Sequence, residues 1–307
     1  MNRSRAVLGI FAVFASLCGG HAQSATLNIV GSESMAALIT QWAEAYRAVN
    51  PGVNFEIQGT GSASAPPALA EGTANLGAMS RPMNDRERSA FRRRAGYEPV
   101  GFTVARDALT VIVNPANPVD AVSLLALDAI FSVTRRCGGL QNYSGWKSVS
   151  ASRGLGGRSR RQDIPILRLS RTAVSGSYGF FKRVALCDGD FQPNVVELPG
   201  FVPMVNAVAD SPGAITYVGS SFVIPAEKPL GIVMGDAILY PRDEAYPLSR
   251  RLYLYLSVAP GQAASPTECG FLEFIQSSKG LGILRNAGFR PAPDGANRDI
   301  TDVCLRP

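Results

Sequence analysis

The segment Arg171-Thr-Ala-Val-Ser175-Gly176-Ser177 combines a guanidinium fork, two hydroxyls and a glycine amide just before the apolar stretch from Tyr178 to Leu186. Arginine presents several donors in a fixed plane, and a helix that begins here adds oriented backbone N–H groups. None of these groups transfers protons at neutral pH, so the chemistry is anion binding rather than acid–base catalysis. Three further polar segments repeat the theme: Gly31 to Ser34, Gly59 to Ser62, and Ser80-Arg81. Burying an unpaired ion costs tens of kcal/mol by Born solvation, roughly, whereas each charge-assisted hydrogen bond returns about 1.5 to 3 kcal/mol. A buried oxyanion therefore needs many donors at once. One Gly/Ser loop alone would be only a turn and a helix cap.

The elements that must carry these segments follow from periodicity. Leu27 to Val30 is a short strand, and Met35, Leu38, Ile39, Trp42, Tyr46 and Val49 recur at helical spacing until Asn50-Pro51-Gly52 stops the helix. Val53, Phe55 and Ile57 alternate as in a strand that ends at Gly59, and Pro66 sits where the first turn of a helix accepts proline. Strand, Gly/Ser loop and helix thus occur twice in succession. That order predicts parallel strands flanked by helices, with ligands at the carboxyl ends of the strands. A third strand ends at Met79, the charged stretch Asp85 to Arg94 reads as a solvated helix, and Ala108 to Val113 is another strand before the turn at Asn114 to Pro118. Leu124 to Ile130 and Phe201 to Ala209 are predicted helices; Ile164 to Leu169, Gly213 to Val218 and Tyr253 to Val258 are predicted strands, and Cys269 to Leu284 has helical content. Ala151 to Gln162, rich in Gly, Ser and Arg, reads as a surface loop.

The first residues bound the compartment. Arg3 and Arg5, an apolar run from Ala6 to Leu17 and a small-residue site at Gly20-His21-Ala22 describe a cleaved signal peptide of residues 1–22. Cys18 raises a lipoprotein as an alternative, but Leu17 is bulky where a lipobox needs a small residue. Export to the periplasm is expected, with secretion beyond it as the further option. Elsewhere no apolar run reaches the roughly 20 residues of a membrane helix. Beyond the leader, 28 basic residues face 24 acidic ones, a net charge of +4. Without interleaved aromatics this excess does not argue for nucleic acid.

Four cysteines follow the leader: Cys137, Cys187, Cys269 and Cys304. In an exported chain they are expected to form disulfides, with three pairings open. Cys137 with Cys187 and Cys269 with Cys304 is favoured, because each bridge then stays inside one proposed domain. With no CxxC pair and no histidine after His21, neither a metal site nor a cofactor is expected.

The ordered series Gly31-Ser-Glu-Ser34-Met35, Gly59-Thr-Gly61-Ser62, Gly77-Ala-Met-Ser80-Arg81-Pro82, the Arg171 to Ser177 clamp, Pro212-Gly-Ala-Ile-Thr-Tyr217-Val and Tyr246-Pro-Leu-Ser-Arg250-Arg-Leu-Tyr253 resembles the periplasmic phosphate-binding proteins of ABC transporters. The resemblance spans nearly all of the chain beyond the leader. It implies a two-lobed α/β periplasmic-binding-protein fold with mixed, mainly parallel sheets and a two-segment hinge. Lobe I would comprise residues 26–107 plus 252–307 and lobe II residues 108–251, with crossings near Arg106-Asp107 and Arg250-Arg251. The implied function is capture of inorganic phosphate between the lobes and delivery to an inner-membrane ABC permease, by a monomer. The implied phosphate ligands are Ser34, the Met35 amide, Ser62 and Ser80 from one lobe, and Arg171, Ser175, Gly176 and Ser177 from the other.

Two departures bear on selectivity. Ser80 stands where the family often has an aspartate that accepts the proton of hydrogen phosphate, and Ala173 where it often has one that orients the arginine. Loss of a carboxylate acceptor weakens rejection of sulfate, since a lone-pair clash is removed. Sulfate and molybdate are therefore alternative ligands. Glu33 is a candidate replacement carboxylate; its other reading is a favourable charge near a helix N-terminus.

An enzyme is the rival class. Ser144-Gly-Trp-Lys147 has SxxK spacing but lacks the KTG and SDN companions, and Trp146 reads as a packing residue. A Ser-His-Asp triad is excluded beyond the leader by the absence of histidine, and no acidic pair stands beside the Gly/Ser loops. No enzymatic activity is expected. A secreted adhesion or sensor protein on the same fold is the remaining alternative.

Overall fold

The computed structural model describes residues 25–151, 163–292 and 303–304. The expected leader and nearly all of the expected Gly/Ser/Arg loop lie outside them.

Strand β1 (Ala25–Gly31) pairs in parallel with β2 (Val53–Gln58) and β3 (Leu76–Met79). Helix α1 (Glu33–Arg47) connects the first two, and buries Met35, Leu38, Ile39 and Trp42 at the expected helical spacing. Helix α2 (Ala65–Ala70) carries proline in its first turn. Helix α3 (Asp85–Ala95) starts on a reciprocal Asn84–Glu87 cap and stops at left-handed Gly96, which explains why so polar a segment is helical.

The long strand β4 (Val100–Val113) has fourteen residues and runs straight through the expected crossing at Arg106-Asp107. Only its second half, Ala108 to Val113, is legible as a strand in the sequence, because Gly101, Arg106 and Asp107 interrupt the apolar pattern. Strand β5 (Ala121–Ser123) and helices α4 (Leu124–Phe131) and α5 (Trp146–Ala151) follow. Strand β6 (Leu167–Arg171) then delivers the clamp to helix α6 (Gly176–Ala185). Next come β7 (Val196–Leu198), helix α7 (Phe201–Asp210), β8 (Ala214–Gly219), β9 (Lys228–Pro229), β10 (Gly231–Met234) and β11 (Ala237–Leu239). Strand β12 (Ser249–Leu256) returns alongside β4, pairing Arg250 with Asp107 and Arg251 with Arg106. Helices α8 (Pro266–Gln276) and α9 (Ser278–Asn286) and the short β13 (Arg290–Pro291) complete the elements.

The main sheet has the strand order β2-β1-β3-β12-β4-β8-β6-β7 among the described residues. It is mixed: parallel at both ends, antiparallel through β3, β12, β4 and β8 in the middle. One buried apolar cluster draws on residues from Ala108 to Leu248. Two others draw on residues from Leu27 to Ala105 and from Leu252 to Val303. The cores therefore change over on the paired strands β4 and β12, around Asp107 and Arg250.

Both bridges form in the favoured pairing, Cys137 with Cys187 and Cys269 with Cys304. Trp146 is buried and its indole N–H donates to the Gly213 carbonyl at 3.0 Å, while Ser144 and Lys147 are exposed, so the SxxK spacing is a packing motif.

Candidate functional site

The four polar segments converge where the ends of β1, β3 and β6 face one another. Gly31 makes this approach possible: its φ is +141°, and a Cβ there would lie 2.0 Å from the Ala78 carbonyl oxygen. Its carbonyl accepts the Gly61 N–H at 2.7 Å, and the next residue, Ser32, donates its amide to Ala78 at 2.8 Å. The loops after β1, β2 and β3 are thereby tied into one platform.

The clamp lies across from this platform. The Ala63 amide donates to the Val174 carbonyl at 3.2 Å, and the hydroxyls of Ser34 and Ser177 stand 3.3 Å apart. Ser62 accepts the Ser80 amide at 3.0 Å, with the two hydroxyl oxygens 3.3 Å apart. Gly176 packs directly on this pair, since a Cβ on it would come within 2.3 Å of the Ser62 oxygen and 2.4 Å of the Ser80 oxygen. Five of the expected residues, Ser34, Ser62, Ser80, Gly176 and Ser177, thus share one buried spot. The N-termini of α1 and α6 meet there, and their two positive dipole ends favour negative charge.

The other expected residues take different parts. Ser175 caps α6 by accepting the Ser177 amide at 3.2 Å. The Met35 side chain is core, and its amide donates to Ser32 at 3.1 Å. Arg171 is 2% exposed; its Nη2 donates to the Pro199 carbonyl at 2.8 Å, its Nη1 forms an ion pair with Glu33, and its guanidinium lies 4.8 Å over the Phe201 ring. The Arg171 Nε is buried with no hydrogen-bond partner among the described residues. Arg81, by contrast, is tied to Glu87 through two bonds of 2.7 and 2.6 Å.

The sequence reading missed a second guanidinium. Arg250, assigned there to the hinge, donates Nη1 to Ser177 at 2.7 Å and Nη2 to Ser34 at 3.2 Å, and is held by Asp107. The signal available was the Tyr246 to Tyr253 motif, which contains Arg250 without a ligand role. Burial pushes the Arg171 guanidinium below its ordinary value; Glu33 raises it again, and neighbouring Arg250 lowers it further. Arginine nonetheless stays charged at neutral pH. The Arg250 guanidinium, four hydroxyls and two helix N-termini meet here, with Arg171 near enough for Arg250 to act on it, an arrangement suited to a small multivalent anion.

Comparison with known proteins agrees with that chemistry. The PBP superfamily domain matches residues 19–279. The phosphate-binding protein PstS of Pseudomonas aeruginosa is 40% identical over 277 residues, covering 88% of this chain and 84% of the relative. A chain from Clostridium perfringens solved with bound phosphate superposes with a TM-score of 0.71 at 22% identity, over 87% of this chain and 99% of the other. An ABC-type phosphate transport receptor from Vibrio cholerae does so with 0.66 at 22% identity, over 87% and 100%. At these identities the two structures attest the fold.

Proposed function

We propose, for a chain that belongs to the PBP superfamily and within it to the PstS phosphate-binding proteins, that it captures inorganic phosphate in the periplasm between two lobes and delivers it to an ABC permease. Lobe I is residues 26–107 plus 252–307 and lobe II residues 108–251, the division followed by the buried clusters. The phosphate ligands are Ser34, Ser62, Ser80, Gly176, Ser177, Arg171 and Arg250. Ser175 acts by capping α6, and Met35 through its place in the first turn of α1. The protein works as a monomer and binds without turnover.

One observation carries the reading. Arg171 and Arg250 are both buried, Arg250 reaches serines contributed from either side, Ser34 and Ser177, and the Arg171 Nε lacks a protein acceptor among the described residues. Such a donor excess is costly without an anion and satisfied by a tetrahedral one. Contacts made by both lobes favour the closed state when phosphate is bound, and a permease can read that closure.

The test is calorimetric titration of the chain lacking its leader with phosphate, sulfate and molybdate, repeated with Arg171→Ala. Phosphate binding lost in the variant is expected; equal affinity in both would refute the clamp. A preference for sulfate would move the ligand to another oxyanion.

A further inference from the structure

We infer that Glu33 is the positioning residue of the clamp arginine: a carboxylate from lobe I that orients Arg171 of lobe II and reaches it only when the lobes meet. The inference rests on the two-lobed phosphate reading above.

The segment from Arg171 to Ser177 contains no carboxylate, and Ala173 stands where the resemblance to the phosphate-binding proteins implies an orienting aspartate. The structure supplies the missing partner from elsewhere. Glu33, the first residue of α1, pairs its Oε2 with Arg171 Nη1, while Oε1 accepts the Phe201 amide at 3.4 Å. It therefore touches both the clamp and the start of α7. Gly200 leaves room for this reach, since a Cβ there would lie 2.8 Å from Glu33 Oε1.

Ser34 follows directly in the chain and meets Ser177 and Arg250. The orienting carboxylate and a ligand hydroxyl consequently arrive on one helix turn. With the lobes apart, Arg171 keeps, among the described residues, the Pro199 carbonyl and the Phe201 face, both from its own lobe. A fork that can rotate binds a tetrahedral anion less well than one held on three sides, so closure completes the arginine that the anion needs.

Charge counting and positioning predict opposite signs for the same variant. Glu33→Gln removes a negative charge near an anion site, which by Coulomb attraction alone tightens phosphate binding. A positioning role predicts the reverse. Phosphate is titrated calorimetrically into wild type, Glu33→Gln and the double variant Glu33→Gln with Ala173→Asp, and the dissociation rate is followed by stopped-flow displacement. Affinity at least tenfold weaker in Glu33→Gln, with faster dissociation, is expected, as is recovery to within about threefold when Ala173→Asp returns a carboxylate to the clamp's own loop.

Equal or tighter binding by Glu33→Gln overturns the assignment, as does a loss that Ala173→Asp leaves wholly unrestored, because Glu33 would then be a packing contact. Should Glu33→Gln fail to fold, Glu33→Asp replaces it, with weaker binding expected from the shorter reach and wild-type affinity overturning the assignment. Wild type that binds no phosphate would overturn the functional reading and this inference together; normal wild-type binding left unchanged by Glu33→Gln overturns this inference alone.

Discussion

Arg250 gives two of its N–H groups, Nε and Nη2, to a single oxygen of Asp107, at 3.0 and 2.7 Å. The pair lies on β4 and β12 where the buried cores change over, and both side chains are almost fully covered. One guanidinium thus joins the paired strands β4 and β12 while its Nη1 also reaches Ser177 and its Nη2 reaches Ser34. Removing one partner of a buried ion pair leaves an uncompensated charge. Asp107→Asn is expected to lower stability by about 3 to 5 kcal/mol, measured by urea denaturation. Arg250→Lys keeps the charge but cannot serve Ser34, Ser177 and Asp107 together. Calorimetry should show phosphate affinity at least tenfold weaker, which corresponds to about 1.4 kcal/mol or more.

Gly176 packs directly against Ser62 and Ser80 of the opposing loops. In Gly176→Ala the new methyl would lie 2.3 and 2.4 Å from the Ser62 and Ser80 oxygens, so the two sides must separate or the serine pair must break. Phosphate binding should weaken at least tenfold while the urea midpoint without phosphate stays near that of wild type. Unchanged affinity would show that the serines rotate away freely.

Ser80 is fully buried, with its hydroxyl 3.3 Å from that of Ser62. A carboxylate there needs a proton on the ligand to avoid facing a lone pair, so Ser80→Asp is expected to reject sulfate more strongly while retaining phosphate. Competition titrations should show the phosphate-to-sulfate affinity ratio rising at least tenfold. A ratio that stays constant places the proton acceptor elsewhere.

Tyr217 is buried with its hydroxyl 2.7 Å from the Ser170 hydroxyl, and Tyr246 is buried and donates to the Leu109 carbonyl at 2.9 Å. Burial raises both phenols above their ordinary value. The native state then keeps protons that the unfolded chain releases, so the contribution is intact below about pH 10 and falls as pH rises above it. Urea denaturation between pH 8 and 11.5 should show this decline, made shallower by Tyr217→Phe. At neutral pH that variant should lose about 1 kcal/mol, the worth of one hydrogen bond.

The donor inventory and its scaffold are written in short stretches of the chain. Glycines after strands, serines at helix starts and the apolar spacing of α1 are local properties, set by dihedral freedom, capping and burial within a few residues. The polar segments and the fold class were therefore legible in the sequence, whereas the cysteines left three pairings open, of which the favoured one forms. What required tertiary structure was every relationship between distant segments. Asp107 and Arg250 stand 143 positions apart, and they look like breaks in a strand pattern until β4 and β12 are laid side by side. Glu33 reads as a helix-end charge until Arg171 is brought against it, and Met35, although the resemblance includes it, has an amide already taken by its own helix turn. Ion pairing falls off with distance through space rather than along the chain, so only the packed fold could decide which carboxylate holds which arginine.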